Sequence, residues 1–315
     1  MKYHHMTTPK IGLVLGSGSA RGWSHIGVIR VLSEWGIKPD IVCGCSIGAL
    51  VGGIYAAGGL DEFESWLLKL KKIDVISYFD VTLASGGLIS GDRLMDFFEK
   101  HLGNPDIESL PLPFAAVATD LERGREVWLR SGPLIHGIRA SISMPGIFTP
   151  VRQNDRWLVD GGLINPVPVS LCRVMGADVV IAVNLNAGLS GKYGQAQRER
   201  KRAEDESDDH EKPSNFTGRL KSGFTSLLSQ VRSEETDDED SDKPGIFDVL
   251  ARSLDIMQDR VTRSRMVGEP PDLTITPRLD YLGLLEFHRA AETIEEGEKR
   301  TRSMEQEIRE LLNMP

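Results

Sequence analysis

Cysteine, net positive charge and long apolar runs are all scarce in this chain of 315 residues. The three cysteines are too few, and odd in number, for a disulfide framework, and they favour a reducing compartment. The 37 Lys and Arg residues against 46 Asp and Glu residues give a net charge of −9, without the basic footprint of a nucleic-acid binder. The first apolar run, at 11–15, is too short for a signal peptide or a membrane span. We therefore expect a cytoplasmic protein without nucleic-acid partners, whose contact with the inner face of a membrane would be peripheral.

The composition and the apolar pattern indicate an α/β fold. Hydrophobic residues make up 40% and charged residues 26% of the chain, as in ordinary globular proteins. Short apolar runs alternate with helical patterns at 9–187, which predicts one domain with a mostly parallel sheet and helices on both faces. Strands are expected at 11–15, 41–43, 114–118, 126–129, 157–159 and 179–183, and the first two are each followed by a helix.

The remaining residues divide into an acidic segment and a C-terminal helical region. Residues 188–244 contain dense runs of acids, which repel one another and predict a mostly disordered insert. This insert is either a solvated loop or a tail for an unknown protein partner. Residues 245–315 are expected to pack on the first domain, with a short strand at 273–275 and a long charged helix at 286–312. The first helix of this region has an apolar face made of Phe247, Leu250, Leu254, Met257 and Val261.

A candidate nucleophile lies between the second strand and the second helix. The residues Gly44-Cys45-Ser46-Ile47-Gly48 fit Gly-x-Ser-x-Gly, a tight strand-to-helix turn that exposes its serine. Gly44 and Gly48 permit the close backbone approach that this turn requires. Ser46 would stand at the N-terminus of a helix, where the helix dipole favours developing negative charge. The pattern predicts a nucleophile elbow centred on Ser46, with a plain serine turn as the alternative.

A serine nucleophile needs a base, and the sequence offers an acid more readily than a histidine. An α/β-hydrolase places its histidine late in the chain, but His210 falls in the acidic insert and His288 opens the charged terminal helix. Asp160 instead follows a predicted strand directly and precedes Gly161 and Gly162, which places it at the carboxyl edge of the sheet. We predict that Asp160 is the general base. A plain Asp-Gly turn and a hydrolase that depends on His288 remain as alternatives.

A glycine-rich turn after the first strand supplies the third part of the site. Gly16, Gly18 and Gly22 free the backbone, so that successive N–H groups can point at one anion. The same turn superficially fits a dinucleotide-binding loop, but Arg21 stands where that fingerprint needs its last glycine. The fingerprint also expects an acid at the end of the second strand, and none is there. We therefore predict an oxyanion loop that includes Ser19, with no cofactor and no metal.

These three parts, in this order, resemble the patatin-like phospholipase family over residues 9–186. The motifs that carry the resemblance are Ser17-Gly18-Ser19-Ala20-Arg21-Gly22, the elbow around Ser46, and Asp160-Gly161-Gly162. The resemblance implies a three-layer patatin-like fold and a Ser-Asp dyad that works without histidine. In the loop, two serines stand at positions where the family commonly has glycine.

The C-terminal residues are similar to one branch of that family. Pro270-Pro271-Asp272 and Phe287-His288-Arg289-Ala290 resemble the bacterial RssA-like branch, which is akin to the catalytic domain of neuropathy target esterase. The resemblance implies a serine hydrolase of acyl esters in lipids, of the phospholipase A or lysophospholipase type.

Three points stay open at this level. Arg21 either anchors the glycine-rich loop or meets a phosphate or acyl carboxyl group. The apolar residues after the elbow either line an acyl channel or pack between helix and sheet; they are Ile47, Leu50, Val51 and Ile54. A different class of function is a regulatory or scaffold protein with a weak or silent hydrolase site.

Overall fold

A central sheet lies between two layers of helices. The computed structural model describes residues 9–71, 74, 90–187 and 246–315, so the insert expected at 188–244 lies outside the described residues. The strands are β1 (Ile11–Leu15), β2 (Ile41–Cys45), β3 (Phe114–Asp120), β4 (Arg125–Leu129), β5 (Val151–Gln153), β6 (Arg156–Asp160), β7 (Val179–Val183) and β8 (Leu273–Ile275). The helices are α1 (Ser24–Glu34), α2 (Ile47–Ala56), α3 (Leu60–Leu67), α4 (Asp92–Leu102), α5 (Leu134–Ser141), α6 (Val169–Val174), α7 (Ile246–Gly268), α8 (Ala290–Arg302) and α9 (Glu305–Leu311). Short 3-10 helices lie at Ser19–Trp23, Ile107–Ser109 and Gly161–Leu163.

The described strands form one sheet in the order β5-β6-β3-β2-β1-β7-β8, and β4 pairs with β3. β1 pairs in parallel with both β2 and β7, while β2 pairs in parallel with β3 and β7 with β8. Antiparallel pairs join β3 to β4, β3 to β6 and β5 to β6. The prediction of a mostly parallel sheet flanked by helices is therefore confirmed.

The inner strands are apolar at nearly every position because both faces of the sheet are covered. Leu13 and Leu15 of β1 pack in the layer that contains α1 and α2. Val14, between them, packs in the opposite layer against residues of α6. Because side chains on both faces of β1 are buried, its sequence is a continuous apolar run and does not alternate between apolar and polar residues.

β2 and β6 meet end to end along one edge of β3. β4 pairs along the other edge of β3, so β2 and β6 share the remaining edge. β2 runs parallel to β3 and ends with Cys45 opposite Val117. β6 runs antiparallel to β3 and ends with Asp160 opposite Ala118, the next residue along. The carboxyl ends of the two strands therefore converge, and Ser46, the residue after Cys45, comes to lie beside Asp160.

Helix α8 crosses α1 at two glycines. A Cβ atom at Gly27 would lie 2.1 Å from the carbonyl oxygen of Ile294, and one at Gly297 would lie 2.1 Å from the carbonyl oxygen of Ser24. Only glycine allows the two helix backbones to approach this closely. None of the helices in the described part of the chain is long and apolar enough to cross a membrane.

Four predicted strands, β2, β3, β4 and β6, are longer in the structure than predicted, and one strand was not predicted. β2 continues to Cys45, two residues beyond its predicted end, because Gly44 and Cys45 pair with β3. β5 was not predicted from the sequence. It has three residues at the end of the sheet and is only partly buried, so it lacks the apolar run that marks the inner strands.

The long charged helix predicted at 286–312 is two shorter helices, α8 and α9. The residues before α8 are not helical, and there the carbonyl oxygen of Phe287 accepts a hydrogen bond of 3.1 Å from Trp23 Nε1. The break between α8 and α9 allows Met304 and Ile308 to pack into the main core. Tertiary contacts thus override a charge pattern that favours one continuous helix.

Candidate active site

Ser46 is the single residue between β2 and α2. Its φ of 56° and ψ of −124° lie outside the regions that non-glycine residues favour, so the turn is strained. The flanking glycines make this turn sterically feasible. A Cβ atom at Gly44 would lie 2.4 Å from the carbonyl oxygen of Gly48, and one at Gly48 would lie 2.0 Å from that of Leu15. The turn therefore has the tight geometry that the Gly-x-Ser-x-Gly pattern predicts.

The Ser46 hydroxyl points at Asp160. Ser46 Oγ donates a hydrogen bond of 2.5 Å to Asp160 Oδ2. The other carboxylate oxygen, Oδ1, accepts a hydrogen bond of 2.7 Å from the backbone N–H of Gly162. The glycine after Asp160 is required by packing, since a Cβ atom at Gly161 would lie 2.3 Å from the carbonyl oxygen of Val117. The structure thus brings together the two residues that the sequence singled out at positions 114 residues apart.

The electrostatic setting of Asp160 makes it a stronger base than an ordinary carboxylate. Its side chain is buried, and loss of hydration raises its pKa from 3.8 to about 6. The hydrogen bonds from Ser46 and Gly162 act in the opposite direction because they stabilise the ionised form. At neutral pH the carboxylate is therefore ionised, yet its pKa lies close enough to the working pH for proton transfer.

Ser141 was not predicted as part of the site. The backbone N–H of Ser46 donates a hydrogen bond of 2.9 Å to Ser141 Oγ, which itself donates to the carbonyl oxygen of Val117 at 2.6 Å. The N–H of Ser46 is therefore engaged in holding the elbow against β3. A lone serine at the end of a helix gives no sequence signal for this contact.

The glycine-rich loop leaves two successive N–H groups without an internal partner. The N–H groups of Gly16 and Ser17 donate to the carbonyl oxygens of Val183 and Pro166. Those of Ala20 and Arg21 are also bonded. Among the described residues, none accepts a hydrogen bond from the N–H of Gly18 or of Ser19. Ser19 has a φ of 51° and lines the same pocket as Ser46. These two N–H groups are available to an anion.

Arg21 contacts the loop as an anchor would, which is the first of the two roles left open by the sequence. Its side chain is fully buried and is absent from the pocket wall. Arg21 Nε donates a hydrogen bond of 3.1 Å to the carbonyl oxygen of Gly18, inside the loop itself. Gly22 permits the elbow to pack on the loop, since a Cβ atom there would lie 2.2 Å from Ile47 Cγ2.

The side chain that accepts the hydrogen bond from the Ser46 hydroxyl is a carboxylate and not a histidine. The histidine nearest the loop in sequence, His25, is buried, and its Nε2–H donates to the carbonyl oxygen of Gly16 at 2.8 Å. Burial lowers the pKa of His25 to about 4, so it is neutral and holds the loop. Among the described residues, no group of three or more His, Cys, Asp or Glu side chains is arranged to hold a metal ion.

An apolar pocket opens beside Ser46. It contains about 670 Å³ of empty space, which includes the open space at its mouth. Apart from two serines its walls are aromatic and aliphatic: Ser19, Trp23, Ser46, Ile47, Leu50, Trp66, Leu70, Leu94, Phe98, Ile142, Met144, Phe148 and Phe287. Of the four residues considered for an acyl channel, Ile47 and Leu50 line the pocket, whereas Val51 and Ile54 are buried in the core.

Comparison with known proteins identifies a family that matches the first part of the chain and relatives that match more of it. A family model described as patatin-like phospholipase matches residues 13–173. An uncharacterized NTE family protein of Mycobacterium tuberculosis is 34% identical, over 92% of this chain and 90% of that protein. The match to this bacterial relative includes the C-terminal region as well as the α/β domain.

Two eukaryotic relatives match over a little more than half of the chain. A patatin-like phospholipase domain-containing protein of Caenorhabditis elegans is 37% identical over 58% of this chain. A lysophospholipase of Emericella nidulans is 34% identical over 56% of this chain. The matched segments make up 14% and 12% of those two proteins, so this chain is similar to only a small part of each.

Proposed function

Because the chain belongs to the patatin-like phospholipase family, we propose that it hydrolyses lipid acyl esters with Ser46 as nucleophile and Asp160 as general base. Membership of this family makes the chain a lipid ester hydrolase, and the roles of the residues are our assignment. The observation that carries the assignment is the hydrogen bond of 2.5 Å from Ser46 Oγ to Asp160 Oδ2 beside an apolar pocket.

In the acylation step, Asp160 accepts the hydroxyl proton while Ser46 Oγ attacks the ester carbonyl carbon. The carbonyl oxygen becomes an oxyanion, which the N–H groups of Gly18 and Ser19 stabilise by hydrogen bonds. Collapse of the tetrahedral intermediate breaks the ester bond. The leaving alkoxide takes the proton from Asp160, and the acyl group remains on Ser46.

In the deacylation step, Asp160 accepts a proton from water, and the resulting hydroxide attacks the acyl carbonyl carbon. The same N–H groups hold the second oxyanion. When this intermediate collapses, the fatty acid leaves and Ser46 Oγ regains its proton from Asp160. One carboxylate thus serves both steps, and no histidine is needed.

The pocket supports a lipid as the substrate. Its wall is almost entirely apolar, so it favours a hydrocarbon chain, at about 0.8 kcal/mol for each buried CH₂ group. Similarity to lysophospholipases favours a phospholipid with one acyl chain, although diacyl phospholipids belong to the same proposal. We propose that the protein acts in the cytoplasm and reaches the inner face of a membrane by reversible, peripheral contact.

The dyad is tested by comparing single and double variants. Ser46→Ala, Asp160→Asn and the double variant should lose ester hydrolysis to the same residual level, a loss of roughly 10⁴-fold or more, because the two residues act as one unit. His288→Ala is the matched control and should retain turnover near wild type. If Asp160→Asn keeps its turnover while His288→Ala loses it, the protein is a histidine-dependent hydrolase and the proposed dyad is wrong.

A silent site is tested by covalent labelling. A fluorophosphonate should label the wild-type protein on Ser46 and should fail to label Ser46→Ala, as shown by peptide mass spectrometry. Absence of labelling in wild-type protein, together with no hydrolysis of any ester, would favour the regulatory or scaffold alternative.

The substrate class is tested with esters of increasing chain length. We expect kcat/KM to rise from acetyl to medium-chain esters, by up to about fourfold for each CH₂ group that the pocket buries. We also expect release of fatty acid from lysophospholipid and from phospholipid vesicles. If turnover is independent of chain length and no fatty acid is released from either lipid, the protein is a general esterase and the lipid substrate is wrong.

A further inference from the structure

Helix α7 has a buried polar stripe, and two of its residues contact the glycine-rich loop. Part of the apolar face predicted for this helix packs in a hydrophobic cluster, in which Leu254 is buried and Leu250 and Met257 pack beside it. The most thoroughly buried side chains of the helix also include polar ones, which recur at helical spacing: Asp255, Gln258, Asp259 and Thr262. Buried polar groups are costly unless they have partners, so the partners of this stripe indicate what it does.

Asp255 is the acid that faces Arg21. Asp255 Oδ1 accepts a hydrogen bond of 2.5 Å from Arg21 Nη2, and the Arg21 side chain is fully buried while that of Asp255 is 10% exposed. Arg21 Nε lies 3.1 Å from the carbonyl oxygen of Gly18, to which it donates. Among the described residues, Arg21 Nη1 has no hydrogen-bond partner. Asp255 is therefore the group that fixes the buried guanidinium against the loop.

The Gly18 carbonyl group determines where the Ser19 N–H group points. The two belong to one planar trans peptide unit, in which C=O and N–H point in opposite directions. The carbonyl oxygen is held from one side by Arg21 Nε and by the backbone N–H of Arg21, at 3.1 and 3.2 Å. The N–H of Ser19 is therefore directed away from Arg21, although the φ of Ser19 is strained at 51°.

Gln258 adds a second contact between α7 and the site. Gln258 Oε1 accepts a hydrogen bond of 2.8 Å from Ser17 Oγ, which itself accepts one of 3.0 Å from Asn186 Nδ2. The same Gln258 side chain lies against the turn after Asp160, because a Cβ atom at Gly162 would come within 2.5 Å of its Nε2. Helix α7 thus contacts both segments that flank the catalytic hydroxyl.

We propose that Asp255 is a positioning residue for catalysis, which acts through Arg21 and the Gly18 carbonyl group to aim the Ser19 N–H at the developing oxyanion. Gln258 supports the same loop through Ser17. This inference rests on the proposed serine hydrolase function and adds a determinant more than 200 residues beyond the catalytic serine. The ion pair of Arg21 and Asp255 does not touch substrate. It therefore affects stabilisation of the transition state and not binding of the acyl chain.

The test is Asp255→Asn, with Asp259→Asn as its matched control. Asp259 lies one helical turn further along α7 and is likewise buried, but its ion pair, with Arg263, stays within the helix. For Asp255→Asn we expect kcat to fall at least about tenfold, toward the roughly 100- to 1000-fold cost of one lost oxyanion donor. KM should change by less than about twofold, because ground-state binding is unaffected. The rate constant for labelling by a fluorophosphonate should fall in parallel with kcat, and Asp259→Asn should leave both values near wild type.

A second variant separates catalysis from folding. Arg21→Met/Asp255→Leu replaces the buried ion pair with apolar side chains, a change that is often neutral for stability. We expect it to fold and to retain the low kcat of Asp255→Asn, since the Gly18 carbonyl has lost its anchor. Wild-type kcat in this double variant would overturn the inference. Loss of folding in both variants would make the contact structural and would also overturn it.

The outcomes for this inference and for the proposed function are distinguishable. If the wild-type protein neither hydrolyses esters nor reacts with the fluorophosphonate, the proposed function fails. If the wild-type protein is active and Asp255→Asn matches Asp259→Asn in kcat and labelling rate, only the positioning role fails.

Discussion

Replacing Asp160 by Asn should abolish catalysis and yet stabilise the fold at neutral pH. Asp160 is buried, and burial raises its pKa from 3.8 to about 6. An ordinary mutation of a buried, hydrogen-bonded side chain is destabilising. Asn is different here because its amide is neutral, can donate to Ser46 Oγ and can accept the hydrogen bond from Gly162.

The magnitude follows from the linkage between protonation and folding. The folded state binds the Asp160 proton more tightly than the unfolded state, so this contribution to stability is complete below pH 3.8 and is lost as the pH rises through about 6. At about 1.4 kcal/mol per pKa unit, the ionised carboxylate costs the folded wild-type protein about 3 kcal/mol at pH 8. The corresponding cost at pH 5 is about half as large. The stability advantage of Asp160→Asn should therefore grow between these two pH values.

The assay is urea denaturation of wild-type protein and Asp160→Asn at several pH values between about 5 and 8. The difference in free energy of unfolding isolates Asp160, because other groups titrate equally in both proteins. His25 is one such group, since its pKa is lowered to about 4 in the folded state. Ser46→Ala is the control: it is equally inactive but keeps the carboxylate, so it should show no such gain in stability at high pH.

Two results would refute this reasoning. If Asp160→Asn is less stable than wild type at pH 8, the carboxylate is stabilised by its hydrogen bonds more than it is disfavoured by burial. If the difference in unfolding free energy is constant from pH 5 to pH 8, the pKa of Asp160 is not raised. In either case Asp160 would lose the property that makes it a good base near neutral pH.

Three further predictions concern pH, strain and packing. The kcat/KM of wild-type protein should fall below about pH 6, since the base must be ionised, and a pH profile on a neutral ester checks this. Ser19→Gly should raise the melting temperature relative to Ser19→Ala, because a φ of 51° costs a residue with a side chain about 1 kcal/mol or more. Gly48→Ala should destabilise the protein and abolish activity, since its Cβ atom would lie 2.0 Å from the Leu15 carbonyl oxygen; Gly268→Ala, where no atom lies within 4 Å, is the thermal-unfolding control.

The inner part of the sheet could be predicted from the sequence because its strands are buried on both faces. β1 and β7 are uninterrupted apolar runs, and the structure has both with the predicted bounds. β5 has no such signal, since its three residues lie at the end of the sheet and are only partly buried. A strand that is buried on both faces can therefore be predicted from the apolar pattern, whereas a partly buried strand cannot.

The proximity of Ser46 and Asp160 could be predicted in part. Ser46 follows β2 and Asp160 is the last residue of β6, and the structure places their side chains within hydrogen-bond distance. The sequence does not show that β6 runs antiparallel to β3, which is what brings the two strand ends together head to head. The partners of Arg21 and Ser17 were not predictable for a similar reason: Asp255 and Gln258 lie more than 230 residues away, on a helix whose pattern shows only its apolar side.

Backbone strain could not be predicted from the sequence. In this chain it distinguishes the turns of the candidate site from ordinary turns. Five non-glycine residues among those described have a positive φ: Ser19, Ser46, Asn154, Asp155 and Asn313. Asn and Asp tolerate this conformation, whereas serine does so far less readily. The two serines are the residues that line the pocket. Strain of this kind persists only where the surrounding structure fixes it, and here the fixing contacts are the Ser141 hydroxyl at Ser46 N and the buried Arg21 at the Gly18 peptide. The contact at Ser46 is distant in sequence, and Arg21, which is local to Ser19, is itself held by the distant Asp255. This is expected if the folded protein sets the attacking oxygen and the oxyanion donor in place before substrate arrives.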